Sequence, residues 1–131
     1  MKSGLPSLPA GKNLGGMALA VWTEVIAERD VRENEITKVS VGDLRLILLR
    51  SEADIFAYHH ECPHEKHSLS TAEIEGDVIV CQKHLWEFEI CTGMHITRVP
   101  MVERNLIRYP VRVVNERVEI DVASPKRWGE T

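Results

Sequence analysis

The sequence predicts an all-β domain, an antiparallel sandwich or small barrel. Three observations carry that prediction. Apolar segments are short, and turn signals recur between them at Gly42-Asp43, Ser51–Asp54, Gly76-Asp77, Thr92-Gly93 and Asn115-Glu116. Trp86–Ile90 alternates strictly, with Trp86, Phe88 and Ile90 on one side and Glu87 and Glu89 on the other. No stretch shows the sustained period of a long amphipathic helix. The result is roughly eight to ten short strands.

The elements follow in order. Residues 1–18 are rich in Gly, Pro, Ser and Lys and lack periodicity, so they read as a flexible arm before a domain spanning 19–123. Trp22–Ala27 is the first strand, and Glu35–Val41 the second, ending at Gly42-Asp43. Leu44–Arg50 is apolar throughout; its leucines would also suit a helix, but its short length and flanking turns favour a buried strand. Ile55–His59 follows the Ser51–Asp54 turn. Ser70–Glu73 reads as a single turn, Asp77–Val80 as a strand, and Trp86–Ile90 as another. Arg108–Val114 and Arg117–Val122 make a terminal hairpin through Asn115-Glu116, and 124–131 reads as a frayed tail.

Composition narrows the partners. The 131 residues suit one domain with a genuine core. Sixteen basic residues against 20 acidic ones, a net charge of −4, argue against nucleic acid. No apolar run is long enough to cross a bilayer, and three cysteines form no even-numbered disulfide framework. A soluble cytoplasmic protein, monomeric in solution, is the expectation.

Two Cys/His pairs stand out, Cys62-x-His64 and Cys81-x-x-His84, each directly after a strand. Two thiolates and two imidazoles suit a closed tetrahedral zinc site. They suit equally a [2Fe–2S] cluster with two cysteines on one iron and two histidines on the other. For iron–sulfur chemistry the mixed set has a purpose. It leaves the oxidised centre formally neutral where four thiolates leave a dianion, so reduction costs less electrostatically.

The pattern C-x-H, sixteen residues (65–80), C-x-x-H resembles that of Rieske-type [2Fe–2S] proteins, over about Trp22 to Ala123. The resemblance implies a cluster-binding subdomain made of two hairpin loops, with Cys62 and Cys81 on one iron and His64 and His84 on the other. Respiratory members carry an additional cysteine in each loop, forming a disulfide. His67 and Lys83 stand at those positions, so that bridge cannot form. Respiratory members also have Ser and Tyr hydroxyls donating towards sulfur where this chain has Trp86 and Phe88, which implies a lower-potential, ferredoxin-type centre.

The run His84-Leu85-Trp86-Glu87-Phe88 is similar to the H-x-W-x-F of ferredoxins serving toluene- and alkene-type di-iron monooxygenases. Ferredoxins of ring-hydroxylating dioxygenases are the close second. The resemblance therefore implies a one-electron carrier, without substrate chemistry of its own, between a flavin-containing NAD(P)H reductase and the oxygenase component of a hydroxylating system. A small Rieske subunit of a nitrite reductase and a non-redox zinc-binding module are the rivals. No helix is available to build a zinc finger, which counts against the second.

The remaining candidates have plainer alternatives. His67 either faces a partner beside the first pair or is a solvated loop histidine. Trp86 and Phe88 lie beside the second pair and read more readily as core anchors than as relays. Pro100 matches a loop that covers one side of the cluster in the family, or is a mere strand break. His59 and His60 read as structural, His95 as a packing or exposed residue of the strand after Thr92-Gly93, and Cys91 as a small buried apolar residue.

Overall fold

The computed structural model describes residues 19–63, 67–83, 85–97, 99 and 101–130. Eleven strands are present among them: β1 (Trp22–Ala27), β2 (Thr37–Val41), β3 (Leu44–Ser51), β4 (Asp54–His59), β5 (Glu73–Glu75), β6 (Val78–Val80), β7 (Glu87–Glu89), β8 (Ile107–Tyr109), β9 (Val111–Val114), β10 (Arg117–Asp121) and β11 (Lys126–Arg127). Short 3₁₀ turns at Glu28–Asp30, Leu69–Thr71 and Val102–Arg104 complete the described elements; none of these is an α-helix. Among the described residues no helix is long and apolar enough to cross a membrane.

The strands form three antiparallel sheets, in the orders β1-β10-β9, β11-β8-β4-β3-β2 and β5-β6-β7. The five-stranded sheet lies between two apolar clusters, and β3 shows why. A strand sends successive side chains to opposite faces. Ile47 and Leu49 enter one cluster with Phe56, Tyr58, Ile79 and Phe88, whereas Leu46 and Leu48 enter the other with Ala57, Val118 and Ile120. A strand buried on both faces needs an unbroken apolar run, which accounts for Leu44–Arg50 lacking alternation. β6 and β7 line the first cluster and β10 the second, so each small sheet covers one face of the central one.

Two expectations are corrected. The segment Arg108–Val114 is not one strand. It breaks at Pro110 into β8, in the central sheet, and β9, paired with β10 in an outer sheet. Proline has no N–H to continue a ladder and sits where the chain changes sheets. Its carbonyl still accepts from the Asp121 amide at 3.0 Å. The hairpin itself is present as Val111–Val114 and Arg117–Asp121. Asn115 and Glu116 have φ of 54° and 66°, the left-handed pair that a tight turn between right-twisted strands requires.

The tail is not frayed. β11 pairs with β8, Arg127 Nε donates to the Asn105 carbonyl at 3.0 Å, and Asn105 Nδ2 donates to the Trp128 carbonyl at 2.9 Å. A further difference is the segment read as one turn over Ser70–Glu73. It is a 3₁₀ turn at Leu69–Thr71 followed by β5.

Candidate metal centre

Cys62 follows the bend after β4 and Cys81 follows β6. Both thiols are fully buried, free of disulfides, and members of the same apolar cluster. The two loops they open are closed alike. The Cys62 amide donates to the His67 carbonyl at 2.8 Å, and the Cys81 amide to the Trp86 carbonyl, also at 2.8 Å. Each bond joins a cysteine to the residue five positions on.

The first loop is supported at its base by an antiparallel bridge between Glu61 and Ser68 and by a Leu69 amide donating to the His60 carbonyl at 2.6 Å. Ser68 Oγ accepts from the Ser70 amide at 3.2 Å, which starts the 3₁₀ turn. Of this loop's described side chains, Cys62 is buried and Pro63 and His67 are half-buried. His67 is half-buried, its Nε2 3.4 Å from Thr71 Oγ1.

The second loop is built into the core. Trp86 stacks on His95 with centroids 4.0 Å apart and an interplanar angle of 24°; the Phe88 ring lies 5.5 Å from the same imidazole. Trp86 is 8% exposed, and Phe88 and His95 are fully buried. Trp86 and Phe88 are therefore packing residues, with Trp86 also reaching the second cysteine through its carbonyl. Leu85 points the other way. It is 60% exposed with φ of 57°, a left-handed backbone that costs a non-glycine residue about 1–2 kcal/mol.

Tyr58 fastens the second loop's far end to the central sheet. Its hydroxyl donates to the Ile90 carbonyl, and burial pushes its pKa well up, with Arg108 opposing. Gly93 has φ of 80°, and a Cβ there would lie 2.7 Å from Tyr58 Cε1. Its neighbour Cys91 corrects an expectation: it is exposed, on the turn after β7, with Sγ 3.8 Å from Ser51 Oγ. Its place on a turn rather than a strand face leaves it nothing to pack beneath.

Of the residues singled out from the sequence, Cys62, Cys81, His67, Trp86 and Phe88 are placed as above. His64, His84 and Pro100 lie outside the described residues. Two residues that sequence reasoning undervalued are His95, which carries the ring stack, and Asn105. Asn105 is 4% exposed, and its Oδ1 accepts from the His95 amide at 2.8 Å while its Nδ2 holds Trp128. A lone asparagine between a 3₁₀ turn and a strand carries no periodic signal that would have marked it.

Two buried cysteines on matched loops suit an apolar core as neutral thiols, and as thiolates they would need a cation beside them. They are a good fit to a soft, cationic metal centre. Comparison with known proteins agrees. Residues 21–115 match the Rieske [2Fe-2S] domain. The ferredoxin component of the naphthalene 1,2-dioxygenase system of Pseudomonas putida is 33% identical over 102 residues, covering 78% of this chain and 96% of its own length. The ferredoxin component of the alkene monooxygenase system of Xanthobacter autotrophicus is 28% identical over 110 residues, covering 83% and 88%. Among solved structures, a complex of reduced oxygenase and oxidised ferredoxin in carbazole 1,9a-dioxygenase contains a chain with TM-score 0.68 and 31% identity. That match covers 79% of this chain and 94% of the other.

Proposed function

From the premise that the chain belongs to the Rieske [2Fe–2S] domain family and carries a [2Fe–2S] cluster, we propose that it is the one-electron carrier of a multicomponent oxygenase system. It receives electrons from a flavin-containing NAD(P)H reductase in the cytoplasm and docks transiently on the oxygenase component. The observation that carries this reading is the pair of buried thiols, Cys62 and Cys81, heading two loops closed by the same hydrogen bond.

The proposed ligands are Cys62, His64, Cys81 and His84. A cluster so held supplies reversible one-electron chemistry from a formally neutral oxidised state. The chain's own residues do the rest. The amides of Cys62 and Cys81 are spent on closing their loops, and the apolar cluster of Leu69, Ile79, Phe88 and Leu106 keeps water from the thiols. Trp86 packed on His95 holds the second loop against the sheet. The chain performs no substrate chemistry of its own.

The acceptor has two readings. Similarity to the naphthalene and carbazole dioxygenase ferredoxins favours a ring-hydroxylating dioxygenase. The His84–Phe88 run and similarity to the alkene monooxygenase ferredoxin favour a di-iron monooxygenase. Trp86 bears on this choice through the resemblance alone, because its ring is buried in the domain.

The ligand set is tested by hyperfine spectroscopy of the dithionite-reduced protein. Nitrogen couplings from two imidazoles are expected, and His64→Cys should keep a cluster at a lower potential because added thiolate charge opposes reduction. A colourless protein holding zinc would refute the electron-transfer reading. Reconstitution with a flavin reductase and either class of oxygenase then decides the acceptor by NADH-coupled hydroxylation.

A further inference from the structure

His59 ends β4, and His60 and Glu61 lead into the first loop. In extended backbone consecutive side chains point to opposite faces, so these three should diverge. They converge instead. The chain bends at His60, whose amide donates to the Arg45 carbonyl at 3.2 Å, and the Glu61 amide donates to His59 Nδ1 at 3.3 Å. The two rings come to a centroid separation of 4.9 Å with a 46° tilt, and His60 Nε2 lies 4.0 Å from Glu61 Oε2. One donor atom from each residue lies within 4.8 Å of the other two, and all three side chains are half-buried. Among the described residues, His60 is the one basic side chain within ion-pairing reach of Glu61.

We infer that His59, His60 and Glu61 form a second metal site, separate from the cluster, for a divalent transition ion of the zinc type. Two imidazoles and a carboxylate are the donor set of open zinc sites, in which water takes the fourth position. Hard cations such as calcium and magnesium demand mostly oxygen donors, so the two histidines exclude them. Bonds of about 2.0–2.2 Å put tetrahedral donors roughly 3.4 Å apart, so the present spacing must close by up to about 1.4 Å. Half-exposed side chains do this by rotation about χ1 and χ2. His59 offers Nε2 while Nδ1 keeps its bond from Glu61, which leaves the bend that assembles the site in place.

The position gives the ion a consequence. Glu61 precedes Cys62 directly, so a bound dication adds positive charge beside the first cluster loop. Positive charge there favours the more negative, reduced cluster and raises its potential.

Calorimetric titration of zinc into the oxidised, cluster-loaded full chain at neutral pH tests the site. A single saturating equivalent is expected, with the cluster's visible spectrum unchanged. His60→Ala and Glu61→Gln should each weaken binding about tenfold or more, and Cys91→Ser should leave it as it was. Voltammetry should show an upward shift on adding zinc to the parent and none in His60→Ala. If His60→Ala fails to assemble a cluster, Glu61→Gln, which removes only a charge, decides. Absence of saturable binding, bleaching in proportion to zinc uptake, loss of binding in Cys91→Ser, or parental affinity in Glu61→Gln would overturn the proposal.

Discussion

The two cysteine loops share a closing hydrogen bond and differ in how the residue that closes each is packed. The first ends on His67, a half-buried side chain whose ring lies 3.4 Å from the Thr71 hydroxyl. The second ends on Trp86, sandwiched into the core against His95 and followed by the buried Phe88 and Ile90. The same main-chain device therefore serves two mechanical roles. One loop is held at its base by backbone pairing, the other is anchored at its end by the packed Trp86 ring, with Gln82, Lys83 and Leu85 exposed. The lesson is that loop geometry around a metal centre can be set by a short backbone bond, while packing decides how stiffly the loop is carried.

The comparison is sharpest in a pair of truncations. Trp86→Ala should cost about 3–5 kcal/mol of stability by opening a cavity beside His95. His67→Ala should stay within about 0.5 kcal/mol, because its side chain is only half-buried and its hydrogen bond to Thr71 is exposed. Denaturant unfolding of the two cluster-loaded variants measures both. Equal losses would show that the loops are clamped alike.

Gly93→Ala attacks the second loop from its far end. The added Cβ would press on Tyr58 Cε1, whose hydroxyl holds Ile90, and the φ of 80° disfavours any L side chain. We expect a loss of about 2–4 kcal/mol, read as a lowered denaturation midpoint. A midpoint equal to the parent's would show that Tyr58 gives way to the added methyl.

Leu85 separates stability from transfer. It is strained and exposed at the tip of the clamped loop, two unfavourable features at a single residue, which fits a docking contact. Leu85→Gly should leave stability unchanged or raise it by up to about 1 kcal/mol as strain is relieved. Stopped-flow transfer to the oxygenase component should slow. Unaltered transfer would remove Leu85 from the contact.

The smallest effect is one of pH at the base of the first loop. Burial, helped by His60 and opposed by Glu61, holds the His59 imidazole below its ordinary value. The folded state then binds the proton less readily than the unfolded chain. The contribution to stability is full above about pH 6.5 and is lost as pH falls through the lowered folded value. Unfolding midpoints at neutral and mildly acidic pH, with a chelator present, should converge less in the parent than in His59→Gln.

Much of this molecule was readable before any coordinates. Strand positions from Trp22 to Ile90, β5 excepted, follow from short apolar runs between turn residues, and the interest of Cys62 and Cys81 from their spacing to His64 and His84. These are local properties: side-chain period, turn chemistry and ligand type act within a few residues. Tertiary structure decided what depends on distant partners. Pro110 stands inside a run that reads as one strand, and only the presence of two sheets makes it a crossing point. The tail looks featureless until Asn105 and β8 supply its hydrogen bonds. Cys91 lost its expected burial because the turn carrying it lies at the surface. His95 is one unremarkable histidine in sequence, and becomes the stacking partner of Trp86 because an isolated bridge to Phe88 brings its strand alongside β7. The sequence by itself placed most of the strands and pointed to the donor residues as candidates. Which side chains clamp each loop, and which remain free to meet a partner, was settled by long-range contacts that no local pattern encodes.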